Sequence, residues 1–124
     1  MTIVVAYADT PPGHAAMSAA VETATDGEHV IVVLAVRGDA PPDVATVEAR
    51  WPELTGRVEV DRADLADPSD AVVQVAQRRD ARLVVLGLRQ RTPVGKMVFG
   101  STAQRILLDA TCPVLAVKPA PAEG

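Results

Sequence analysis

At 124 residues, with 48% hydrophobic and 23% charged side chains, the chain has the make-up of one soluble globular domain spanning 1–124. One Tyr, one Trp and one Phe exclude a row of stacking aromatics for single-stranded nucleic acid, and the net charge of −4 argues against any polyanionic partner. The single cysteine, Cys112, excludes an internal disulfide; with no basic leader and no apolar stretch near the ~20 residues of a membrane span, a reducing, cytoplasmic setting without membrane contact is expected.

Ile3-Val4-Val5-Ala6 is a short, continuous apolar run. After the turn-forming stretch Tyr7 to Gly13, Met17, Ala20, Val21 and Ala24 recur at helical spacing, and Asp26-Gly27 stops that helix. Val30 to Val36 is a longer, β-branched run. A weaker helix is predicted between Pro42 and Trp51-Pro52, then a short polar strand near Val58–Val60. Asp67-Pro68-Ser69-Asp70 reads as an N-cap, a proline at the first helical position and acid in the first turn, ahead of the stripe Val72, Val75, Ala76. Leu83 to Leu86 is the fourth run. The last helix is predicted from Thr102 to Ala110, with Ser101 and Gln104 as a capping box and Ala103, Ile106, Leu107 and Ala110 on one face. Val114 to Val117 is the fifth run, and Pro119 to Gly124 reads as a frayed tail.

The runs do not alternate apolar with polar, so both faces of each strand should be buried, as in a parallel sheet covered by helices. Alternation of strand and helix calls for a doubly wound α/β fold with right-handed crossovers, the polar third strand at an edge. Ligands of such sheets sit beyond the carboxyl ends of the strands, where the winding reverses. Two loops meet there: Tyr7 to Gly13, and Gly87 to Phe99. The second carries Arg89, Arg91 and Lys96 and no acid, and feeds Gly100-Ser101-Thr102 into the last helix. Backbone N–H groups at a helix start favour an anion, a glycine allows close approach, and two hydroxyls add donors. The same residues also read as a helix cap and a solvated basic face.

Gly87-Leu88-Arg89-Gln90, nine residues, then Gly100-Ser101 resembles the G-x2-G-x9-G-S/T signature of universal stress proteins. The similarity continues through Thr102 to Leu107 and Cys112 to Lys118, and more weakly over nearly the whole chain. The resemblance implies a five-stranded parallel sheet in the order 3-2-1-4-5 of the adenine-nucleotide alpha-hydrolase-like type. It implies ATP or AMP as ligand, with phosphates and ribose at the glycine signature and adenine between the first two strands. Two positions depart from that pattern: Gln90 stands where the second glycine belongs, and Ala8 where ATP-binding members carry an acid, with Asp9 one residue later. Val36 matches a position near adenine. Asp9 thus reads as a ribose contact by resemblance, and as a turn residue or Asx cap by composition.

Other chemistries fit poorly. Gly95-Lys96 lacks P-loop spacing, His14 and His29 are far apart with no metal-ligand pattern, and Cys112 precedes Pro113 without a nearby base. The reading is therefore a non-enzymatic stress-response module, at most a slow ATP hydrolase. Its site residues are Gly87, Arg89, Gln90, Gly100, Ser101, Thr102, Asp9, Ala8 and Val36. Its rivals are a nucleotide-free dimerisation or scaffold module and a small flavodoxin-like cofactor carrier, the latter weakened by the scarcity of aromatics. In the expected order Val114–Val117 lies at a sheet edge, uncharged until Lys118, which predicts a homodimer through that strand.

Overall fold

The computed structural model describes residues 1–35, 40–61, 67–90, 97–98 and 100–118, with the backbone alone at 90, 97 and 98. Strand β1 (Thr2–Tyr7) leads into α1 (Pro11–Thr23) and β2 (His29–Leu34). Next come α2 (Val44–Arg50), a 3-10 turn (Pro52–Leu54) and β3 (Val58–Asp61). Helix α3 (Pro68–Arg78), β4 (Leu83–Gly87), the short β5 (Arg89–Gln90) and β6 (Met97–Val98), α4 (Ser101–Asp109) and β7 (Val114–Val117) complete the order.

Five strands form one parallel sheet, β3-β2-β1-β4-β7, which is the order 3-2-1-4-5 when only its own strands are counted. β5 and β6 pair antiparallel within the long connection ahead of α4, a hairpin that hydropathy does not announce. The three central strands have side chains buried on both faces, as expected of β-branched runs between two helical layers. Ile3, Val5, Val30, Val32 and Val85 pack against Met17 and Ala20 of α1, Val47 of α2 and Leu54. Val4, Ile31, Val33, Val84 and Leu86 pack against Val72 and Val75 of α3 and Ile106 of α4.

Local signals explain most boundaries. Thr10 caps α1 through its hydroxyl, with prolines in the first turn, and Asp67 caps α3 by accepting from the Ser69 N–H at 2.8 Å. Two expectations need correction. Helix α1 ends at Thr23, and Gly27, at φ 75°, serves the turn into β2 instead. The capping box at Ser101 is absent: Gly100 is the N-cap, Ser101 is already helical, and no side chain caps α4. Burial also departs at the edge. Leu115 of β7 is exposed and its neighbours are half-buried, because nothing covers the outer side of this strand. Leu107, placed in the core by periodicity, is exposed too, since α4 lies against α3 along the line of Ile106.

Candidate functional site

At the carboxyl ends of β1, β2 and β4 a cleft of about 560 Å³ opens on the α3–α4 face of the sheet. Close backbone packing builds its floor. A methyl group on Gly87 would lie 2.0 Å from the Pro12 carbonyl oxygen, and one on Gly13 would lie 1.8 Å from that of Ala8. The first turn of α1 is therefore pressed onto the ends of β1 and β4 at a distance no side chain allows.

Six of the nine expected site residues line this cleft: Ala8, Gly87, Arg89, Gly100, Ser101 and Thr102. Helix α4 starts at its wall, and its first-turn N–H groups have no side-chain cap. The Arg89 guanidinium lies over this start, so that a methyl group on Gly100 would stand 2.9 Å from Arg89 Nη2. The helix dipole and the guanidinium thus place positive potential on one spot, with the Ser101 and Thr102 hydroxyls in the same cleft. Gly87 has a different task from the one expected: it serves packing against Pro12.

The remaining three residues stand elsewhere. Val36 lies outside the described residues, as does the Gln90 side chain. Asp9 is on the other side of the sheet. Its Oδ1 is 2.8 Å from His14 Nε2, and it lines a second cavity, apart from the cleft. The one-residue offset between Ala8 and Asp9 turns the carboxylate away from the position expected of a ribose contact.

Sequence reasoning missed Asp67, Ser69, Thr10 and Arg105, all of which line the cleft. Asp67 Oδ2 accepts from Arg105 Nη1 at 3.0 Å, while its Oδ1 accepts from the Ser69 hydroxyl at 2.6 Å. Hydrogen bonds from Ser69 hold the Asp67 carboxyl below the usual range, with the Arg105 charge adding to the effect. The capping signal Asp67-Pro68-Ser69 was legible in the sequence, but its place against α4 depends on the α3–α4 packing.

A model of the universal stress protein family matches residues 1–118. A universal stress protein of Mycolicibacterium smegmatis is 37% identical over 126 aligned positions, covering 94% of this chain and 97% of its own length. The solved structure of a universal stress protein from Archaeoglobus fulgidus has a TM-score of 0.67 at 28% identity, over 94% of this chain and 97% of that one. A universal stress protein of the same organism, solved in complex with dAMP, has a TM-score of 0.62 at 23% identity, over 94% and 96% of the two chains.

Proposed function

The chain belongs to the universal stress protein family, and on that premise we propose that its cleft holds an adenine nucleotide, ATP or AMP, by its phosphates. The observation that carries this reading is the uncapped start of α4 under the Arg89 guanidinium. Backbone N–H groups, a helix dipole, one guanidinium and two hydroxyls converge there, and together they suit a phosphate better than any neutral group. The dAMP complex of the Archaeoglobus fulgidus relative supports the same chemistry. In this placement the adenosine end lies toward the small side chains Ala6, Ala8 and Ala35, which leave room for a flat ring.

The module binds and signals rather than turns over. The cleft's carboxylate, Asp67, is engaged by Ser69 and Arg105, so it is not free to activate a water for hydrolysis. Calorimetry with ATP and with AMP tests the reading. Saturable binding is expected, weakened about tenfold by Arg89→Met, the usual loss for one charge-assisted contact. No heat of binding at millimolar nucleotide would overturn it in favour of a nucleotide-free module.

A second reading rests on β7. This strand is at the sheet edge, with Leu115 exposed and Leu108 of the preceding helix 76% exposed. An uncovered apolar edge invites pairing with a second copy about a two-fold axis. Light scattering on a sizing column should report twice the 13.0 kDa chain mass. Leu115→Lys should return monomer; a monomeric parent at high concentration rules the pairing out.

A further inference from the structure

The second cavity, about 510 Å³, lies on the α1–α2 face of the same sheet end. A chain with three aromatic residues places two of them here. Tyr7 and Trp51 meet edge to face at 6.2 Å, and the His14 ring sits 6.2 Å from Tyr7 and 6.1 Å from Trp51. The Arg50 guanidinium lies 5.3 Å from the centre of the Trp51 ring. Leu34 and Val47 complete an apolar wall.

His14 joins two opposite charges at this wall. Its Nε2 is 2.8 Å from Asp9 Oδ1, and its Nδ1 is 3.1 Å from Arg50 Nη2. Arg50 has only donors, so Nδ1 accepts and Nε2–H donates to Asp9. The second Asp9 oxygen and the other Arg50 nitrogens have no partner among the described residues. Tyr7 and Trp51 are more than nine-tenths buried, yet the Tyr7 hydroxyl and the Trp51 indole N–H also have no hydrogen-bond partner among the described residues. No described side-chain nitrogen or oxygen is both fully buried and unpaired, so these two groups reach open space, and both residues line the cavity.

We propose that this cavity is a binding site for a zwitterionic α-amino acid with an apolar or aromatic side chain. Asp9 receives the ammonium, Arg50 the carboxylate, and the side chain lies against Tyr7, Trp51, Leu34 and Val47. The spacing fits. One imidazole ring and two hydrogen bonds separate the Asp9 and Arg50 atoms, about 8 Å at most, which the ammonium and carboxylate of one amino acid bridge with a hydrogen bond of about 2.8 Å at each end. The unpaired Tyr7 and Trp51 donors add polar contacts to the carboxylate. The volume falls within the range of small-molecule sites. This proposal does not rest on the nucleotide reading, because it shares no lining residue with the α4 cleft.

Trp51 is the chain's one tryptophan, so its fluorescence reports on this wall alone. The probes are L-phenylalanine, 3-phenylpropionate, which lacks the ammonium, and phenethylamine, which lacks the carboxylate. L-Phenylalanine should change Trp51 emission saturably, and each single-charge probe should bind at least about tenfold more weakly. Arg50→Met should weaken phenylalanine about tenfold and leave phenethylamine unchanged; Asp9→Asn should weaken both and leave 3-phenylpropionate unchanged. Should either variant fold poorly, the comparison of three probes on the parent chain still decides. No saturable change at millimolar phenylalanine overturns the proposal. So does 3-phenylpropionate binding as tightly as phenylalanine, which would mark a plain anion site.

Discussion

The two sides of the sheet's carboxyl end are made by alternate residues of the same two strands, and they differ in kind. Ala6, Ala8 and Ala35 face the α4 cleft, where small side chains leave room and the polar groups come from a helix start, Arg89 and hydroxyls. Tyr7, Asp9 and Leu34 face the other cavity, where bulky rings and a carboxylate–imidazole–guanidinium chain form the wall. Side chains alternate across a strand, so neighbouring residues serve opposite faces. One sheet end can therefore carry an anion site and a zwitterion site without sharing a residue. A carboxylate's ligand is decided by parity as much as by type.

The sharpest break in this comparison comes at the backbone that both sides share. Gly87→Ala sets a methyl group 2.0 Å from the Pro12 carbonyl, so α1 must move away from β4. We expect a loss of about 3 kcal/mol in unfolding free energy, the upper range for overpacking, measured by urea titration. Gly100→Ala meets only the mobile Arg89 guanidinium and should cost about 1 kcal/mol or less, while perturbing the anion site. Equal costs for the two would mean that the glycines share one role.

A carboxylate moved across the sheet sharpens the contrast. Ala8→Asp places an acid in the α4 cleft, and Gln90→Gly restores the second glycine of the signature. The double variant should bind ATP about tenfold more tightly by calorimetry, the gain of one charge-assisted contact. Low-micromolar binding by the parent would show that neither departure matters.

The sheet order and its central strands were legible because burial on both faces leaves no choice of composition: every inner position is Val, Ile, Leu or Ala. The anion side was legible in part. Gly100, Ser101 and Thr102 carry their meaning locally, in a helix start that the sequence marks by itself. Asp67 and Arg105 do not, being 38 positions apart and joined only by the packing of α3 against α4. The other cavity was illegible for the same reason. Asp9, His14 and Arg50 come from a loop, α1 and α2, and a scarcity of aromatics suggested no ring cluster at all. Sequence scarcity says how many rings there are, and only the fold says that they meet. Asp9 was given the cleft by proximity to Ala8, and alternation placed it opposite.

The smallest effect tests whether the polar groups at the other end of the sheet belong to any site. Glu28 is buried ahead of β2, and its carboxylate accepts from Arg82 Nε at 2.7 Å, Arg82 Nη2 at 2.9 Å and the Thr25 N–H at 3.1 Å. Every contact joins loop to loop beneath the sheet, and neither residue lines the two cavities described above. The hydrogen bonds from Arg82, against the opposing effect of burial, hold the Glu28 carboxyl below the ordinary glutamate range. A carboxyl with a lowered folded-state pKa adds stability that is fully present above its unfolded value, about 4.3, and is lost as pH falls through the folded value. Glu28→Gln keeps the shape and part of the hydrogen bonding but removes the charge. It should cost about 1 kcal/mol at pH 7, and the difference from the parent should shrink as pH falls below about 4. Paired urea titrations at pH 7 and pH 3.5 measure both. Nucleotide and phenylalanine affinities should be unchanged at pH 7, because this end of the sheet anchors the strands and touches neither ligand. A shift in either affinity would couple the two ends and end the separation between scaffold and site.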